Sequence, residues 1–434
     1  MTDQPDRPPD PPGQHRTAPV SRRRFLGAVG GLTAGAAAVG VPSGMSSLRS
    51  PALDRPARDG VEPFYGAHQG GVTTSPQSHT YFASLDVTTD QRGELAELLR
   101  SWTAIIANLT SGRPATPMTG DPDRVEPDSG EALELGPARL TVNIGFGPGL
   151  FGVDGPDRFG LAARWPVQLV ALPVFPGDAL SGLNTGGDLT VHACADDPQV
   201  AFHAVRQLVR AGAGVTSVRW SQAGFNETLA SRGTPRNLMG FKDGTSNPAS
   251  EAELATFIWT GPEAPAWMAG GTYLVMRRIR VSLEQWDTVS LRSQERVIGR
   301  HKASGAPLGK PGELDALDLD AKDAAGRPVI PLDAHVRLAS PEENWGVTML
   351  RRSYAYSNGV VEQGDPGRQA PLFDAGVLFA SYQRDPRLAF IPIFRALAES
   401  DALSRFTTHT GSAIAAVPPA PPHWGCWLGQ PLFD

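Results

Sequence analysis

Three residues in the second half of the chain carry chemistry that composition does not explain. Asp243, inside the run GFKDGTSNP at 240–248, supplies an acid that can carry a proton. His335 supplies a neutral imidazole able to ligate iron, and Arg351 a cation that keeps its charge at any working pH. Each is ordinary alone. Asp-Gly followed by Thr, Ser, Asn and Pro is first of all a turn signal, and a satisfied histidine or salt-bridged arginine is the common case. Their weight comes from context: His335 opens the block HVRLASP at 335–341, and Arg351 sits in LRRSY at 350–354.

The elements that must position these residues come in a repeated order. His79 to Val87 is strand-like and leads into a helix from about Asp90 to Leu109, whose Leu95, Leu98, Leu99, Trp102, Ile105, Ile106 and Leu109 fall on one stripe. Strands follow at 140–146 and 188–194, then a helix from Pro198 to Ala211 and a strand at 215–220. The second half repeats this with a strand over 272–281, a helix over 283–298, strands over 347–356 and 377–382, and a helix from Pro386 to about Ala398. Thr80-Tyr81 matches Thr272-Tyr273. Asp197-Pro198 matches Asp385-Pro386, each read as starting a helix, although shared capping chemistry would look the same. Strand–helix–strand taken twice predicts a ferredoxin-like arrangement. The fold class is therefore α+β, with two ferredoxin-like domains from an internal duplication, antiparallel sheets, and spans of 60–230 and 236–434.

The second-half motifs closely resemble those of the dye-decolorizing peroxidases, in particular the exported branch that includes the proposed deferrochelatases. Gly240, Asp243 and Gly244 match the GxxDG signature, His335 to Pro341 the H-x-R-L-A-x-P block, and Leu350 to Arg352 the L-R-R block. LTVNIGFGP at 140–148 is similar as well, so the resemblance runs over roughly 60 to 434. It implies non-covalent haem b, one per chain, in the C-terminal domain, with His335 as the proximal iron ligand. Asp243 would be the distal acid/base and Arg351 the stabiliser of developing anions. Gly244 and Thr245 would border the cofactor. Asp401 resembles the carboxylate that orients the proximal histidine, or is a surface acid at a helix end. Arg300 meets a haem propionate or belongs to a solvated basic loop. Leu378 and Phe379 line the distal face or fill a strand core. Tyr354, Tyr382 and Trp345 lie nearest the motifs among residues that could pass electrons to the surface.

The implied function is peroxide-dependent oxidation of small dye-like or phenolic donors, peaking under acidic conditions because a carboxylate carries the proton. Iron release from haem and a non-catalytic haem carrier are the alternatives. A carrier has no use for the Asp243–Arg351 pair. The remaining features bound these readings. The chain has 434 residues, a net charge of −6 and no long Lys/Arg run, which argues against nucleic acid as a partner. Residues 1–55 read as a disordered leader. Within it, Ser21-Arg22-Arg23-Arg24-Phe25-Leu26 precedes an uncharged stretch rich in Gly and Ala, resembling a twin-arginine signal more than a membrane anchor. The export machinery is thus an expected partner, and the destination is extracellular or the periplasm and cell envelope. A homo-oligomer is allowed. Cys194 and Cys426 are the two cysteines, and their pairing is open.

Overall fold

In the computed structural model, residues 60–434 are described except 154, 228–233 and 361–372. The leader and its arginines lie outside these residues. The first half contributes β1 (His79–Val87), β2 (Thr141–Phe146), β3 (Leu189–Ala195) and β4 (Thr216–Phe225). The second contributes β5 (Thr272–Val281), β6 (Leu350–Arg351), β7 (Tyr354–Val360), β8 (Phe373–Gln383) and β9 (Thr407–Val417). Neighbours run β2-β3-β1-β4 in the first half and β9-β5-β8-β7 in the second, all antiparallel. Taken in chain order within each half, these are the same topology, as the duplication requires.

The two sheets join at both edges. Phe146 pairs with Ala416 across β2 and β9, and Phe225 with Ala355 across β4 and β7. The eight long strands therefore close into a ring, each closure resting on a single residue pair. Alternation along each strand then sends one set of side chains inward and the other outward. Inside lie Phe82, Trp220, Leu274, Met276, Leu378, Ala380, Tyr382 and Ala413. Outside the first sheet, the helices Arg92–Thr110 and Pro198–Ala211 cover Leu85, Ile144 and Val191 with Leu95, Leu99, Trp102, Val205 and Leu208. Asp197 caps the second of these helices, its Oδ1 accepting from Gln199 N at 2.8 Å.

Several element boundaries depart from the sequence pattern. Asp385 does not start a helix directly; it accepts from its neighbour Arg387 within a turn, and the helix begins at Phe390. The stretch 283–298 is two helices, because Ser290 caps a second one at Leu291–Ile298. The strand expected over 347–356 is interrupted at 352–353, giving β6 and β7. β9, the run TTHTGSAIAAV, is a strand that the sequence pattern does not predict.

A buried ion pair fastens the halves beside the second sheet. Arg277 of β5 is fully buried and pairs with Asp178 from a first-half loop, while donating to Ser412 Oγ at 3.1 Å. The same loop follows β9, with Ala179 N bonding His409 O at 2.9 Å and Gly186 N bonding Ser412 O at 2.9 Å. Removing one partner of such a pair strands the other charge. Asp178→Asn is therefore expected to lower the unfolding free energy by about 3–5 kcal/mol, read as a fall in urea midpoint at unchanged slope.

Candidate functional site

His335 begins a short helix, His335–Leu338, and its Nδ1 lies 2.6 Å from Asp401 Oδ2. A carboxylate accepts there, so Nδ1 carries the hydrogen and Nε2 keeps its lone pair free for the cavity. Asp401 is itself fixed: its Oδ1 accepts from Leu403 N at 2.8 Å, capping the turn that follows the helix Phe390–Ser400. Burial opposes protonation of His335, but the charge and hydrogen bond of Asp401 outweigh it and raise the basicity of the ring. The rest of HVRLASP is scaffold. Buried Arg337 donates to Ile330 O at 3.1 Å and to Glu343 Oε1 at 3.0 Å, and Asn344 Nδ2 donates to Leu338 O at 2.8 Å.

Asp243 sits in a loop whose shape needs two glycines. Gly240 and Gly244 have φ of +84° and +105°, a region L side chains avoid. Phe241 anchors the loop by packing against Trp286, in a core with Met239, Leu403 and Phe406. Arg351 Nη1 donates to Asp243 Oδ1 at 3.3 Å. Asn247, from the same nine-residue run, clamps the Arg351 backbone twice, accepting from its N at 3.1 Å and donating to its O at 2.7 Å. The sequence reading took Asn247 as turn chemistry only. Its place in the run was the one signal available.

His335, Asp401, Asp243 and Arg351 line one cavity of about 240 Å³. His335 and Asp401 stand on its helical wall, with Asp243, Gly244, Thr245 and Arg351 on the loop-and-strand wall. The floor is the outer face of the second sheet. The pairing register places Val281 beside Thr407, Ile279 between His409 and Val377, and Arg277 between Ser412 and Phe379. Phe379 therefore faces the cavity. Leu378, expected beside it, does not: one residue along a strand reverses direction, and Leu378 is buried inside the ring. Val377 takes its place in the lining.

Arg300 also lines the cavity and is buried, not solvated. It donates to Gly305 O at 2.8 Å and Glu313 O at 3.0 Å, and burial, followed by the nearby charge of Arg351, lowers its pKa. His409, which the sequence reading passed over, lines the floor with a buried Nδ1 that has no partner. Burial and the Arg277 charge push its pKa down to about 3, so it is neutral at ordinary pH. Of the residues considered for passing electrons outward, Trp345 is 87% exposed, whereas Tyr354 and Tyr382 are buried. Cys194 and Cys426 do not pair.

This donor set fits haem. A fixed imidazole offers an unprotonated nitrogen, Ile279, Val281, Val377, Phe379, Phe394 and Leu397 offer apolar walls, and Arg300 offers a buried cation for a carboxylate.

Comparison with known proteins agrees with that fit. Residues 69–226 match the family model "Dyp-type peroxidase, N-terminal", and residues 234–421 match "Dyp-type peroxidase, C-terminal". A dye-decolorizing peroxidase of Thermobifida fusca is 38% identical over 442 residues, covering 95% of this chain and 97% of the relative. A deferrochelatase of Escherichia coli K12 is 36% identical over 403 residues, covering 90% and 92%. Among solved structures, DtpA from Streptomyces lividans in an oxyferrous complex superposes with TM-score 0.79 at 39% identity, covering 88% of this chain and 100% of that one. A DyP-type peroxidase from Cellulomonas bogoriensis gives 0.76 at 40%, covering 87% and 99%.

The reversal at Leu378 has a measurable consequence. Leu378→Ala is expected to cost about 2–5 kcal/mol of folding free energy while leaving haem uptake by the cavity unchanged. Urea unfolding and titration of the Soret band read the two effects. Weakened haem uptake at undiminished stability would instead put Leu378 in the cavity wall.

Proposed function

The chain belongs to the Dyp-type peroxidase family, and from that premise we propose that Asp243 is its proton carrier and His335 its iron ligand. One observation carries the reading: the Asp243–Arg351 pair lines the same cavity as His335, whose outer nitrogen is held by Asp401. Haem, when bound, supplies the iron at which peroxide is reduced. Its non-covalent attachment agrees with the absence of a CxxCH sequence.

The residues divide the work. Asp401 fixes the ring of His335 and strengthens Nε2 as a donor. Asp243 Oδ1 is engaged by Arg351 at 3.3 Å, which leaves Oδ2 to accept a proton from hydrogen peroxide and return it to the departing oxygen. Arg351 keeps its charge throughout and stabilises the peroxide and hydroxide anions as they form. The Asn247 clamp on its backbone holds it in place without occupying its guanidinium. Phe379 and Phe394 keep the cavity apolar, which suits a porphyrin and excludes water, and the donors proposed are small dye-like or phenolic molecules.

A second reading is favoured by the deferrochelatase relatives, at 35–36% identity. It would use the same cavity to release iron from haem. We also propose that the chain is exported by the twin-arginine route, on the strength of Ser21 to Leu26. Replacing both Arg22 and Arg23 by Lys should then retain the protein in the cytoplasm, as cell fractionation would show.

Asp243→Asn is expected to bind haem with an unchanged Soret band yet react with peroxide about 10²–10⁴-fold more slowly by stopped flow. Arg351→Leu should do the same through loss of anion stabilisation. A haem carrier would lose nothing measurable in either variant. Iron release would leave free protoporphyrin, visible by its fluorescence, after incubation of the wild type with haem.

A further inference from the structure

The ring interior holds a set of reactive side chains that no step above employs. On β3, Cys194 Sγ lies 3.5 Å from His192 Nε2 and donates to Thr80 Oγ1 at 3.4 Å, Thr80 in turn donating to Ala193 O at 3.0 Å, so the thiol hydrogen has two acceptors within reach. The other ring nitrogen, His192 Nδ1, is 2.8 Å from the hydroxyl of Tyr382 on β8. That hydroxyl donates to Asn143 Oδ1 at 2.8 Å, and Asn143 is oriented by its own amide, which donates to Gly70 O at 2.6 Å. The tautomer follows. The Tyr382 hydrogen is committed to Asn143, so Nδ1 donates to the phenol oxygen and Nε2 is left as an acceptor facing the thiol.

Cys194 therefore has a proton acceptor in place, oriented by a third group, which is how a reactive thiol is ordinarily built. Arg352, also buried, adds a charge beside it; its side chain is fastened to Gln77 and to Thr74 O. Burial alone would push the thiol up, but His192 and Arg352 hold it below its ordinary value. Yet no substrate can reach this group, since Cys194 is 1% exposed and Tyr382 0%.

What the set does adjoin is the cavity wall. Arg351 faces the cavity and the next residue, Arg352, faces the interior. Leu350 pairs with Tyr382 and Arg351 with Ser381, so one strand thickness separates the two sides. Tyr382, the partner of His192, lies directly behind that wall, so a thiol closed to molecules is still linked to it through His192 for the passage of electrons.

We propose that Cys194, with His192 as its proton acceptor, is an internal one-electron donor that returns an electron to the haem when peroxide is consumed with no external donor present. This rests on the peroxidase reading given above. Cys194 Sγ loses one electron, its S–H bond breaks, and the proton stays on His192 Nε2. The electron goes to the haem that peroxide has oxidised, and that haem is the oxidant of the step. A sulfur-centred radical and an imidazolium remain. Tyr382 is a positioning residue that keeps Nε2 turned towards the thiol.

The test uses haem-loaded Cys426→Ser protein, in which Cys194 is the single thiol. One equivalent of hydrogen peroxide is added in aerated buffer without donor while the absorption spectrum is followed. The protein is then unfolded and alkylated, and the Cys194 peptide is weighed. The expected result is a first spectral change that decays by itself to a second state still one electron short of rest, because peroxide withdraws two electrons and Cys194 returns one, together with a Cys194 peptide that has gained oxygen as dioxygen traps the sulfur radical. Apoprotein given the same peroxide should keep an alkylatable Cys194, as should holoprotein given an excess of reducing dye. His192→Phe, which retains the thiol, should lose the oxidation. Should that variant not fold, Cys194→Ser should slow the donor-free spectral recovery several-fold. A Cys194 left reduced after the spectrum has responded overturns this proposal alone, and equal oxidation in the apoprotein would show that peroxide acts directly. A spectrum that never responds to peroxide sinks the peroxidase reading and takes this proposal with it.

Discussion

A buried imidazole can present a bare nitrogen to a cavity only if its other nitrogen is held. The 2.6 Å bond from His335 Nδ1 to Asp401 meets that requirement, and much of the second half is arranged to keep it. Asp401 stands where the helix Phe390–Ser400 ends and a tight turn begins, so its carboxylate is fixed by Leu403 N as well as by the ring. Leu403 then drops into the core that also takes Phe241, the anchor of the Asp243 loop, with Val336 packed against the same cluster. The two walls of the cavity are thus tied to one small group of apolar side chains. Their separation is set by close packing, which tolerates little drift.

Helix packing on the outer faces explains why, among the described residues, the cavity lies on the second half's sheet. In the first half, two helices lay an apolar stripe directly on the sheet, and Trp102 with its neighbours fills the space. In the second half, the corresponding outer face is the cavity floor, and the helix Phe390–Ser400 contributes Ile393, Phe394 and Leu397 to its lining. The first half still takes part, because Pro176 and Gly177 reach the lining and Asp178 neutralises Arg277 beneath Phe379. The cavity is a second-half structure completed by a first-half loop.

How much of this was legible in the sequence depends on whether a residue's role is local. Asp243, His335 and Arg351 belong to motifs, Asp401 and Arg300 follow only from the family resemblance, and the fold brings all five to one cavity. The duplicated order of strands and helices came from periodicity, which tertiary packing reinforces. What failed was phase and punctuation. Leu378 and Phe379 are equally apolar, and only the register of β8 against β5 decides which of them looks outward. The run 283–298 has continuous helical character, but Ser290 is a better cap than interior residue, and its side chain accepts from Ser293 N. β9 mixes strand formers with three Ala and one Gly, so its pattern is weak in sequence, and it is held by a long ladder to β5 and one pair to β2. Asn247 was hidden differently: its chemistry is turn-like, and its bonds reach 104 residues along the chain.

That long-range clamp also answers why the arginine of the cavity wall can sit on a strand of only two residues. β6 is too short to hold Arg351 by ladder bonds alone, having just Leu350–Tyr382 and Arg351–Ser381 as pairs. Asn247 supplies the missing edge, imitating a neighbouring strand by offering one acceptor and one donor to the same residue. The strand can then turn away at Arg352, whose side chain enters the ring interior, without loosening its neighbour. A longer regular strand would hold the backbone as firmly, but its outer edge would be occupied by another strand. The loop carrying Asp243 could not then approach Arg351 to 3.3 Å. Brevity on one edge and an amide in place of a strand on the other are what let a carboxylate and a guanidinium from distant segments share a single wall.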